Sequence, residues 1–123
     1  MIKIMLLKKT FANGEALFKD GEPGGEACLI KKGYVSIWKM DGDRRIDLAT
    51  RGPGEIIGEM ALIDDSPRSA SVTAKGQVEA EVITRQDLKK MLNASPEPLI
   101  EILHQLLKRL RETNELAAMN MSC

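Results

Sequence analysis

The sequence predicts an all-β barrel or sandwich followed by two helices, within a single domain. Three observations predict it. All ten glycines fall between Gly14 and Gly76, so turn punctuation stops well before the end of the chain. From Phe11 to about Ile83, short apolar runs at strand spacing are set off by glycine and proline. Beyond them, leucines recur at helical spacing behind two helix-start signals. The 123 residues fit one domain. Folding a chain of this length buries roughly two thirds of its unfolded surface, enough for one core.

In chain order, Tyr34, Ser36 and Trp38 alternate with Val35, Ile37 and Lys39, as a strand with two unlike faces requires. Met40-Asp41-Gly42-Asp43 is a hairpin signal with Asp-Gly at its centre. Ile46 and Leu48 then share one face of the returning strand. Val72-Thr73 and Val78 to Ile83 read as two later strands with Lys75-Gly76 as the turn between them. Thr84 with Asp87 three residues on is a capping signature for a helix from Gln86 to Leu92. Ser95 as N-cap and Pro96 as first helical residue start a second helix, which runs to about Ala118.

Composition excludes several functions. Lys plus Arg and Asp plus Glu are 18 each, so no cationic excess exists to neutralise a nucleic-acid backbone. A hydrophobic share of 43% argues against disorder. The first apolar stretch, Ile4 to Leu7, is far too short for a membrane span or a signal-peptide core. Cys28 and Cys123 make no disulfide framework, and with the single His104 they are too few for a zinc site. Cys28 reads as a small buried hydrophobe, and a reducing, cytoplasmic setting fits best.

The segment from Gly54 to Ala70 carries the chemistry. Gly58 allows a sharp bend and a close approach to a ligand. Residues 59 to 63 are good helix formers, so a short helical turn follows it, with free N–H groups of the kind that bind anions. Pro67 stiffens the return, Arg68 can pair with a phosphate or carboxylate, Ser69 adds a hydroxyl and Ala70 leaves space. The Glu59 carboxylate accepts hydrogen bonds and suits a sugar hydroxyl better than a phosphate. A phosphate cradle beside a sugar acceptor is a nucleotide-like site. On spacing alone, a surface loop closed by a Glu59–Arg68 salt bridge fits as well.

Gly58-Glu59-Met60-Ala61-Leu62 followed by Pro67-Arg68-Ser69-Ala70 resembles the phosphate-binding cassette of cyclic nucleotide-binding domains. Phe18-Lys19-Asp20-Gly21-Glu22 resembles that family's early turn, and Gly33-Tyr34-Val35 the start of its middle strand pair. The resemblance covers nearly the whole chain. It implies a mainly β fold: an antiparallel β-roll, a jelly-roll-like barrel, with flanking C-terminal helices. One domain would span 1–123, with the roll over about 10–84 and the helices over about 85–118.

The resemblance also implies roles. Glu59 would accept the ribose 2′-OH and Arg68 would pair with the cyclic phosphate. Amides near Met60, Ala61 and Ala70 would cradle that phosphate. Ser69 would touch the phosphate or a guanine amino group, and Leu48 would pack the base. Thr113 and Asn114, on the last helix, would approach the purine, and Arg109 would reach towards Glu59. As solvated residues of an amphipathic helix they need no such role. The ligand would be cyclic AMP or cyclic GMP, with cyclic AMP favoured by the helix end, and no catalytic cofactor is implied.

Leu99, Leu103, Leu106, Leu107 and Leu110 form an apolar stripe on the last helix. Packing on the chain's own roll is the simpler expectation. The a/d spacing also admits a homodimer seam or contact with an effector protein. The expected module is a non-catalytic sensor that binds no nucleic acid directly and spans no membrane. A β-roll without ligand, serving as a structural or dimerising module, is the alternative. The sequence ends without a DNA-binding, kinase or channel segment, so a free-standing module or an excised domain is expected.

Overall fold

A computed structural model of the chain describes residues 5–62 and 66–121. The chain forms strands β1 (Leu7–Phe11), β2 (Ala16–Phe18), β3 (Glu26–Asp41), β4 (Arg44–Arg51) and β5 (Ile56–Ile57). A one-turn 3₁₀ helix (Glu59–Leu62), strand β6 (Ser71–Thr84) and helices α1 (Arg85–Asn93) and α2 (Glu97–Met121) follow. The fold is mainly β with two C-terminal helices, as expected.

All strand pairing is antiparallel. The sheet runs β1-β6-β3-β4, with β2 also on β6 and β5 also on β3. The long strands β3 and β6 are therefore the spine, and the short strands clasp them from either side. The sheet curls into a roll without closing. Its curvature starts where Lys32 pairs with Glu79 but Tyr34 with Lys75, so β6 carries extra residues opposite Gly33. Gly33 sits at φ +87°, and a Cβ there would lie 2.2 Å from the Gln77 carbonyl oxygen. No side chain fits that approach.

This bulge corrects the expected turn at Lys75-Gly76. The chain does not reverse there, and β6 is one strand of 14 residues. The β1–β2 loop takes up the backbone instead. The Gly76 amide donates to Asn13 Oδ1 (2.8 Å), Gly14 N–H donates to the Ala74 carbonyl (2.8 Å) and Ala74 N–H donates to the Glu15 carbonyl (2.9 Å). Strand β1, which begins ahead of the expected start of the roll, carries no alternation to read. It is an edge strand with four of its five residues exposed.

The β3–β4 hairpin is as predicted, with the loop one residue later, at Gly42-Asp43, and Gly42 at φ +61°. Val35 and Ile37 face inward, and Ile30, Val35, Val78 and Cys28 are fully enclosed. Ser36 faces the other way and is buried beneath Arg45 and Asp47, to which it is hydrogen-bonded.

Helix α1 begins with the predicted capping box. Thr84 Oγ1 accepts from the Asp87 amide (3.0 Å), and Asp87 accepts from the Thr84 amide (2.9 Å). The second start signal is corrected. Ser95 Oγ donates to the Met91 carbonyl (2.8 Å) and closes α1, while the Pro96 carbonyl accepts the first bonds of α2 from Leu99 and Ile100. The stripe of α2 does not pack on the roll either. Leu99, Ile102, Leu106 and Leu110 are exposed, with Leu103 and Leu107 half-buried. Among the described residues the core is closed by the strands and Ala61, and neither helix contributes a buried side chain.

Candidate functional site

The site is built where the short strands meet the one-turn helix. Strand β5 ends at Gly58, whose φ of +78° turns the chain into residues Glu59–Leu62. The Ala61 amide donates back to the Gly58 carbonyl at 3.1 Å, which sets the tight turn. Ala61 is buried against Gly24, where a Cβ would come within 3.0 Å of the Ala61 methyl. The Ala61 carbonyl accepts from Arg85 Nε at 2.8 Å, so the first residue of α1 holds the one-turn helix.

Arg68 is anchored at both ends. Its amide donates to the Glu22 carbonyl and its carbonyl accepts from the Gly21 amide, each at 2.8 Å. The early turn that follows β2 therefore clasps the Arg68 backbone. Its guanidinium lies 3.7 Å from the centroid of the Phe18 ring, and Nη2 donates to the Glu26 carbonyl at 2.6 Å. A Cβ on Gly58 would sit 2.7 Å from Nη1, so glycine is what admits the guanidinium. Arg68 is half-buried, and burial pushes its pKa down, with Glu26 opposing. Among the described residues no carboxylate forms a salt bridge with it, so the Glu59–Arg68 pair of the plain-loop reading is not formed. Beside it, Cys28 is a free, buried thiol whose pKa is pushed up to about 11, first by burial and then by Glu26.

The structure thus brings Gly58 and Arg68 into direct proximity, with Ala61 held in the turn that follows Gly58. Glu59 is exposed on the one-turn helix and Met60 half-buried there. Ser69 is exposed and Ala70 half-buried, both just before β6. Leu48 is 54% exposed and stands at a bulge of β4, because Ile37 pairs with Ala49 and Trp38 with Asp47. Thr113 is exposed, and its hydroxyl donates to the Arg109 carbonyl (2.9 Å) within α2. No hydrogen bond joins Thr113 or Arg109 to the one-turn helix among the described residues. The side chain of Asn114 and all of Cys123 lie outside the described residues. His104 is exposed on α2.

Sequence reasoning missed Phe18, the Glu26 carbonyl and Arg85 as parts of this site. Phe18 stands in sequence only as the start of the early turn, a backbone carbonyl has no sequence signature, and Arg85 belongs to no motif.

An arginine fixed at a half-buried position with no carboxylate salt bridge among the described residues, beside a glycine-led helical turn, can bind an anion. The family model described as "Cyclic nucleotide-binding domain" matches residues 8–95. The CRP-like cAMP-activated global transcriptional regulator of Mycobacterium tuberculosis is 35% identical over 85% of this chain and 47% of its own length. The cyclic AMP receptor protein of Thermus thermophilus is 31% identical over 87% of this chain and 50% of its own. The chain thus spans about half the length of these regulators. Among solved structures, the EAL enzyme Bd1971 in a half-site-occupied form superposes with a TM-score of 0.84 at 34% identity, covering 89% of this chain and 99% of that one. The same enzyme has been solved in a cyclic AMP-bound form (TM-score 0.68, 34% identity, 93% of this chain and 30% of that one). Its cyclic GMP-bound form has a TM-score of 0.69 at 33% identity, with 94% and 31% covered.

Proposed function

The chain belongs to the cyclic nucleotide-binding domain family, and on that premise we propose that it is a non-catalytic sensor whose ligand is cyclic AMP. Arg68 pairs with the cyclic phosphate, amides from Met60, Ala61 and Ala70 surround it, and Glu59 accepts the ribose 2′-OH. Leu48 packs the base, Ser69 reaches the phosphate or base, and Thr113 and Asn114 approach the purine when α2 moves in. Cyclic GMP offers the same phosphate and ribose and is the second ligand to test, a choice supported by the cyclic GMP-bound relative.

The observation that carries this reading is Arg68: half-buried, fixed by Phe18 and the Glu26 carbonyl, and in no carboxylate salt bridge among the described residues. An anion placed there offsets the cost of holding a cation partly away from water, which Glu26 and Glu22 offset only in part. Binding is passed to α1 through the bond from Arg85 to the Ala61 carbonyl. The ligand shifts the helices only by its differential affinity for the closed arrangement.

The output surface is the exposed apolar face of α2, Leu99, Ile102, Leu106 and Leu110, which meets a second copy of the chain or an effector protein. The setting is the cytoplasm. No helix among the described residues is long and apolar enough to cross a membrane.

Arg68→Ala tests the assignment. Loss of charge-assisted bonds to a desolvated phosphate should weaken cyclic AMP binding about a hundredfold. Titration calorimetry reads it, and near-normal affinity in that variant would sink the assignment.

A further inference from the structure

We propose that Phe18 is the positioning residue of the site: its ring face holds the Arg68 guanidinium plane so that the remaining N–H donors are presented to an anion. The inference rests on the reading of Arg68 as the phosphate ligand. The ring is 4% exposed and its centroid lies 3.7 Å from the guanidinium carbon. On the opposite requirement, Gly58 offers no side chain, since a Cβ there would meet both Arg68 Nη1 (2.7 Å) and the Phe18 ring (3.0 Å). Among the described residues the guanidinium makes one hydrogen bond, from Nη2 to the Glu26 carbonyl. One bond leaves a planar group free to swing about it. A ring face removes that freedom without consuming a donor, because it attracts the cation through its quadrupole and accepts no directed hydrogen bond in the guanidinium plane. A leucine or isoleucine would fill the same space in the core but supply no such face.

The test is a double-mutant cycle on the full chain with cyclic AMP as the probe. Phe18→Leu is expected to weaken binding roughly 5- to 30-fold, the span of a desolvated cation–π contact. Phe18→Tyr should restore binding to within about twofold, because the ring face is kept. In an Arg68→Gln background, Phe18→Leu should cost less than about twofold. An equal loss in both backgrounds would mean that Phe18 acts through the fold, and no loss beside Arg68 would mean that it does not act; either overturns the proposal. A second readout covers the case in which the Arg68→Gln chain binds too weakly to titrate. The Arg68 Nε–H resonance of the ligand-free chain should be ring-current shifted upfield and lose that shift in Phe18→Leu. An unshifted resonance overturns the stacking. A shifted resonance in a folded chain that binds no cyclic nucleotide upholds the stacking and defeats the reading of the ligand.

Discussion

At the scale of single residues, Gly58 joins backbone conformation to ligand chemistry. It sits at φ +78°, and the nearest atoms to an added Cβ are Arg68 Nη1 and the Phe18 ring. Gly58→Ala should cost about 1–2 kcal/mol in stability from the left-handed backbone. It should cost more in binding, because the guanidinium end is the group that can move away. A urea melt and a cyclic AMP titration on the same variant separate the two effects, and unchanged affinity would contradict this reading. Cys28 supplies a pH prediction. Burial holds its thiol pKa at about 11, against an ordinary value of 9.0. Between those pH values the unfolded chain releases that proton while the folded chain keeps it. Stability should therefore fall as pH rises through the window. Denaturant midpoints across it should drop in the native sequence and drop less in Cys28→Ala. Equal slopes would remove Cys28 from the account.

At the scale of elements, capping chemistry was the most legible signal and strand irregularity the least. Thr84 and Asp87 announce the start of α1 because both bonds of the capping box are made by side chains three residues apart. Thr84→Ala should cost about 1 kcal/mol, read as a lower melting midpoint; no change would show that the box contributes nothing. The alternation from Tyr34 to Lys39 was legible for the same local reason. The bulges were not. Gly76 looks like a turn in sequence, and what holds it as a point inside one strand is the bond its amide donates to Asn13, 63 residues away. Ser95 carries the signature of an N-cap, yet its hydroxyl turns back to Met91. One residue cannot announce which of two neighbouring helices it will serve. Within the site, Gly58, Glu59 and Arg68 stood out because their residue types carry the chemistry, whereas Phe18 and Arg85 act through contacts that only the fold creates.

At the scale of the whole molecule, a roll that fills its own core leaves its last helix with apolar surface to spare. Leu99, Ile102 and Leu106 are each more than half exposed, at 52%, 56% and 55%. A sequence pattern tells that a helix has an apolar face but not what covers it, which is why packing on the roll was expected and not found. If a second copy covers it, the chain should sediment as a dimer at tens of micromolar, and Leu106→Glu should shift it to monomer without unfolding the roll. A monomeric native chain would instead leave the face to something other than a second copy. The roll, the clasped arginine and the spare helix face fit the proposed sensor, whose output would lie outside its own core. The direct test is titration calorimetry on chain that has been unfolded and refolded to strip any carried nucleotide, with cyclic AMP and cyclic GMP in separate runs. Saturable binding of cyclic AMP, equal to or tighter than that of cyclic GMP, is the predicted result. A refolded chain with an intact melting transition that binds neither would contradict the account and leave a β-roll serving as a structural module.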